Sequence, residues 1–86
     1  RVGSYYLRLS TIDKPGVIAG ISKQFKEYNI SMKSMLQEDS GVKKGQATIV
    51  LTTHNCKEKD MRNAIKKINS LDFVMKKTIF YRIEVL

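Results

Sequence analysis

Apolar residues along this chain switch between two spacings, and the order of the switches leaves few folds open. Tyr5, Leu7 and Leu9 alternate with Tyr6, Arg8 and Ser10, the period of a half-buried strand. Val17, Ile18, Ile21, Phe25 and Tyr28 then trace a helical stripe. Alternation returns with Ile30, Met32, Ser34 and Leu36 on one face and Ser31, Lys33, Met35 and Gln37 on the other. It returns again where Ala47, Ile49 and Leu51 oppose Thr48, Val50 and Thr52, a stretch rich in β-formers. Met61, Ala64, Ile65 and Ile68 are spaced as one face of a second helix. The closing stretch, Phe73 to Leu86, ends with Ile79, Tyr81, Ile83 and Val85 alternating against Phe80, Arg82 and Glu84.

The punctuation agrees with these spacings. Asn29 stands where a helix C-cap is expected, and Ser40-Gly41 through Gly45 carry hairpin-loop chemistry. Asn55-Cys56-Lys57-Glu58 has capping-box spacing, with Asn55 as N-cap and Glu58 at N3; Ser70 and Asp72 break the helix that follows. Gly20, inside the first helix, costs about 1 kcal/mol relative to Ala, so close packing on a sheet or another helix is its expected reason. The order is β-α-β-β-α-β with no internal linker. Right-handed crossovers place both helices on one face of a four-stranded antiparallel sheet of order 4-1-3-2, an α+β ferredoxin-like sandwich. Its second strand is then an exposed edge, carrying Met35 on an otherwise polar face, and such edges commonly pair with something.

Eighty-six residues make one domain, residues 1–86, with no room for a cofactor domain beside it. The chain opens on Arg1 rather than Met, which points to a piece of a longer enzyme. No apolar run reaches membrane-spanning length and no signal peptide is visible, so a cytoplasmic location is expected. The one cysteine, Cys56, cannot form an internal disulfide, and one His with one Cys argues against any protein-built metal site. The net charge of +8 invites nucleic acid or an anionic membrane. Yet the basic residues are dispersed, and of the 16 only Arg1, Arg8, Arg62 and Arg82 are the forked donors that nucleic-acid recognition favours. A solvated surface is the simpler reading.

Asp13-Lys14-Pro15-Gly16-Val17-Ile18 is the chemically informative segment. Pro15 suits a helix start, and Gly16 leaves no side chain over the free N–H groups near Val17 and Ile18. The helix dipole points its positive end the same way, which makes an anion seat, and Asp13 sets a carboxylate beside it. An anion seat next to a fixed negative charge suits a zwitterion, that is, a free amino acid. The plain alternative is an ordinary strand-to-helix turn with an Asx cap.

Other chemistries lack their residues. RNA-recognition modules of this topology stack bases on third-strand aromatics, and here Gln46, Thr48 and Leu51 stand in those places. The first loop, Thr11 to Gly16, lacks the cysteine pair of a metallochaperone. His54 and Cys56 share one short loop without a third partner, and His54 reads as a turn residue at the second helix. No dinucleotide motif or P-loop is present. A small-molecule sensor or an interaction module remains.

With these residues laid out, the chain resembles the ACT domain, a regulatory module that binds amino acids in metabolic enzymes. The resemblance runs from Tyr5 to Glu84 and rests on Asp13 to Ala19, Asn29-Ile30-Ser31-Met32, Met35-Leu36-Gln37, Ala47-Thr48-Ile49-Val50, Thr53-His54 with Glu58, and Tyr81-Arg82-Ile83-Glu84. Gln37, Thr53-His54 and Arg82-Ile83-Glu84 look most like the C-terminal ACT domain of bacterial homoserine dehydrogenases. The resemblance implies that Asp13 and the amides of Gly16, Val17 and Ile18 hold the ligand's charged groups. It also implies that Ser31, where some members have Asn, reaches in from a neighbouring subunit, and that Gln37 takes part in threonine sensing; Gln37 as a solvated edge residue stays open beside this. A homodimer through the second-strand edge, threonine as feedback inhibitor, and NAD(P)-dependent catalytic domains elsewhere in the parent follow from the same resemblance. This chain itself would be non-catalytic, without cofactor, metal, nucleic acid or membrane. A ligand-free oligomerisation module and a basic nucleic-acid-binding domain are the alternatives.

Overall fold

The computed structural model describes residues 1–38 and 42–84. Eight elements follow in order: β1 (Val2–Gly3), β2 (Tyr5–Ile12), α1 (Val17–Glu27), β3 (Met32–Glu38), β4 (Gln46–Thr53), β5 (Cys56–Lys57), α2 (Glu58–Asn69) and β6 (Ile79–Arg82). The main sheet is antiparallel with order β3-β4-β2-β6, which is the expected 4-1-3-2 arrangement.

Alternation decides the two central strands. Tyr5, Leu7, Leu9 and Thr11 of β2 are buried, as are Ala47, Ile49, Leu51 and Thr53 of β4, and the register sets Leu7 opposite Leu51 and Leu9 opposite Ile49. The buried stripes of α1 (Val17, Ile21, Phe25) and α2 (Met61, Ala64, Ile65, Ile68) join them in one core. Removing these surfaces from water, at about 25 cal/mol per Å² of apolar area, is the main force holding helices to sheet. The opposite sheet face is uncovered: Leu36 is 62% exposed and Tyr81 56%.

Helix α1 ends as its sequence suggests. Asn29 takes the left-handed conformation (φ 59°), its N–H donates to Lys26 O at 3.2 Å, and that of Ile30 donates to Phe25 O at 2.8 Å. This is a Schellman motif, closed by the apolar pair Phe25 and Ile30.

Five local expectations are corrected. Pro15 lies in the turn ahead of α1, and the helix opens at Val17. The capping box does not form: Asn55 precedes a two-residue strand that pairs with β1, and the N-cap of α2 is Lys57 without a side-chain bond. Glu58 N–H instead donates to Arg1 O at 2.8 Å, while its carboxylate binds Arg62 at 3.2 Å. A bulge between Met32 and Ser34 breaks the alternation of the edge strand, so Ser34 and Leu36 share the open face. Met35 and Gln37 pair with Leu51 and Ile49 on the helix side, yet both stay exposed. In β6 it is Phe80, opposite Leu7, that faces the core, whereas Ile79 and Tyr81 lie on the open face.

The last strand is also shorter than its sequence suggests. Beyond Arg8 the edge of β2 is taken by the segment after α2, through Met75 N–H to Ser10 O at 2.8 Å and Ile12 N–H to Phe73 O at 2.9 Å. Gly20 does sit in close packing, but its partner is neither sheet nor helix: an added Cβ would lie 2.9 Å from the ring of Phe73, in the turn after α2. Ser40, Gly41 and Val85 lie outside the described residues.

Candidate functional site

The turn between β2 and α1 is anchored at both ends. Before it, Ile12 N–H is held by Phe73 O and Asp13 N–H by Gly45 O, each at 2.9 Å. After it, Val17 is buried at 3% exposure, and the first helical bond runs from Gly20 N–H to Gly16 O at 2.9 Å. Between these anchors Lys14-Pro15-Gly16-Val17 forms a turn with Pro in its second place and Gly16 (φ 89°) in its third. That positive φ is what requires a glycine here, as in a type II turn.

The donors on this turn are open. Gly16, Ile18 and Ala19 amides have no hydrogen-bond acceptor among the described residues, and Val17 N–H makes only a long 3.5 Å contact with Lys14 O. None of the described residues lies within 4 Å of where a Gly16 side chain would stand, so among them the outer side of the helix start is bare. Asp13 is exposed and forms no ion pair among the described residues. Bare amides at a positive dipole end beside a free carboxylate can accept an anion and a cation together.

Of the six expected site residues, Asp13, Gly16, Val17 and Ile18 are therefore together. Ser31 and Gln37 are not with them. Ser31 lies beside His54, whose N–H donates to its carbonyl at 2.9 Å, in the row of Tyr5 and Thr53. From that row to Asp13 is eight residues of strand, roughly 25 Å at about 3.3 Å per residue. Gln37 shares a row with Ile49 and Leu9, two strands across from β2, which puts it roughly 15 Å from the turn at about 4.8 Å per strand spacing. A single chain does not unite all six.

Two residues that the sequence did not connect with the site complete the frame: Gly45 and Phe73, whose carbonyls hold the strand end. Gly45 has a positive φ of 80°, a signal that turn chemistry alone could have ranked higher. Elsewhere, burial pushes the Cys56 thiol up, so it stays protonated near neutrality and offers no thiolate. His54 is exposed on the connection between β4 and β5. No helix among the described residues is long and apolar enough to cross a membrane.

Comparison with known proteins follows the same lines. The ACT domain family pattern matches residues 5–73. The chain is 37% identical over 83 residues to a homoserine dehydrogenase of Methylobacillus glycogenes, covering 96% of this chain and 20% of the relative. A crystal structure of a homoserine dehydrogenase from Thiobacillus denitrificans superimposes with a TM-score of 0.86 at 38% identity, over 98% of this chain and 18% of that one. The ACT domain of a GTP pyrophosphokinase from Chlorobium tepidum shares the fold at 14% identity, with a TM-score of 0.73 over 94% of this chain and 100% of its own. The chain thus spans about a fifth of the homoserine dehydrogenases it matches. It is a member of the ACT domain family.

Proposed function

We propose that this chain is an allosteric amino-acid sensor, the regulatory part of an NAD(P)-dependent homoserine dehydrogenase whose hydride chemistry lies in other parts of the enzyme. Its effector is threonine, acting as feedback inhibitor. The observation that carries the reading is the bare turn: amides at Gly16, Ile18 and Ala19 and the carboxylate of Asp13, all without a partner among the described residues. The ligand's carboxylate takes the amides and its ammonium takes Asp13.

The distance to Ser31 points to a second subunit. Strand β3 is an edge with Met35 47% and Leu36 62% exposed, on opposite faces. Antiparallel pairing of β3 with its copy about a two-fold axis near Met35 would set the start of one β3 beside the end of the other. Ser31 of the partner subunit then arrives at the end of the sheet that carries Gln37 and the Asp13 turn. A ligand bridging two subunits shifts the parent enzyme only by its differential affinity for two arrangements, typically about 1–3 kcal/mol.

The dispersal of the six residues also supports a second reading, a ligand-free oligomerisation module. Calorimetric titration of the chain with threonine and a panel of other amino acids separates the two. Saturable heat with threonine supports the sensor. A dimer that gives no heat with any amino acid leaves the scaffold.

A further inference from the structure

A shallow concavity lies between α2 and the segment leading into β6, far from the turn in the chain. It is an open groove of about 360 Å³, lined by Arg62, Lys66, Lys77, Asn69 and Thr78, with Ile65 and Phe80 as its apolar wall. No carboxylate of the described residues lines it. Glu58, which reaches Arg62 at 3.2 Å, engages Nε and leaves the two terminal guanidinium nitrogens free of it. The Arg62 guanidinium also stands 5.9 Å from the Phe80 ring centroid, which holds it over the wall.

The polar groups here are nearly all donors. Asn69 Oδ1 already accepts Thr78 N–H at 2.9 Å, so its amide N–H₂ is what it has left to give. Thr78 is only 7% exposed, and its hydroxyl has no partner among the described residues. A buried hydroxyl without a partner is unfavourable, and since its oxygen is covered, an acceptor in the groove reaches it once the side chain turns outward. Lys66 has an independent reason to be here, since a cation in the last turn of a helix complements the dipole. Lys77 and Thr78 come from the facing segment and have no such reason.

We infer that this groove binds a small phosphate monoester. Five donor-bearing side chains exceed what the two oxygens of a carboxylate can use, and they match a group with three acceptor oxygens and nearly two negative charges. The volume leaves space for a compact apolar body against Ile65 and Phe80. Lys66, Lys77 and Arg62 neutralise the charge, and Thr78 and Asn69 fix the orientation.

Titration of the ¹⁵N-labelled chain with phenyl phosphate, inorganic phosphate and benzoate, at ionic strength matched with chloride, tests this. The expected result is saturable amide shifts confined to residues 62–80, with phenyl phosphate tightest. Thr78→Val weakens it by about tenfold, and Lys66→Gln with Lys77→Gln by more. Phosphate shifts scattered over all the lysines, equal affinity for benzoate, or unchanged affinity in a folded Thr78→Val variant would overturn the proposal. Ser in place of Thr78 keeps the hydroxyl and is expected to retain binding, which separates a lost donor from a disturbed groove.

Discussion

Asp13 N–H donates to Gly45 O at 2.9 Å, so the turn that opens α1 is tied directly to the hairpin between β3 and β4. The main chain that carries the acid of the proposed site is therefore hydrogen-bonded to the residue that precedes β4. The proposed ligand site and the proposed subunit contact are thus joined through hydrogen-bonded backbone, as linkage between them requires.

Gly16→Ala tests the turn. The left-handed conformation costs an L-residue about 1–2 kcal/mol, and nothing within 4 Å of the new Cβ adds a clash. Urea denaturation is expected to show a loss of about that size, with Gly16→Asn losing less.

Gly20→Ala sets two effects against each other. Helix propensity favours Ala by about 1 kcal/mol, but the added Cβ would meet the Phe73 ring at 2.9 Å. The ring must move, and it sits on the segment whose carbonyl holds Ile12, so net destabilisation of about 1 kcal/mol is expected. With Phe73→Leu in the background the sign reverses, which a double-mutant cycle reads out.

Met35→Lys with Leu36→Lys tests the edge. Both side chains are exposed in the single chain, so thermal stability of the monomer is expected to change by less than about 0.5 kcal/mol. Sedimentation is expected to report loss of the proposed dimer. A double variant that still sediments as a dimer would move the interface elsewhere.

Arg8 reaches across the open face to Glu38 with two bonds, at 2.7 and 3.2 Å. This bond holds the Glu38 carboxyl below its ordinary range. A depressed carboxylate pKa adds stability above the unfolded value, and that stability is lost as pH falls through the folded one. Acid titration followed by NMR is expected to place Glu38 below the usual Glu value of about 4.3 and to return it there in Arg8→Gln. The pair is only half-buried and well screened by solvent, so the effect on overall stability is small.

What the sequence disclosed depended on how local each signal was. The strands around Leu7, Leu9, Ile49 and Leu51, and the Schellman end at Asn29, are written in alternation and turn residues, and they form as read. The β1–β5 ribbon is two residues long and carries no period, so the Asn55 spacing looked like a cap. The bulge at Lys33 lies on an edge where no buried face enforces register. Ile79 and Tyr81 look like core residues because an uncovered sheet face tolerates the same side chains. At the site, Asp13 to Ile18 were legible because Pro and Gly fix their own backbone. The separation of Ser31 and Gln37 from that turn depends on strand register across the sheet, which no local motif carries.

The central claim is that the amides at the start of α1, with Asp13, take a free amino acid. Amide shifts of residues 13–19 during a threonine titration test it most directly. The account predicts saturable shifts there that vanish in Asp13→Asn while the fold is kept. Threonine at tens of millimolar leaving those amides unmoved in the dimer would contradict it.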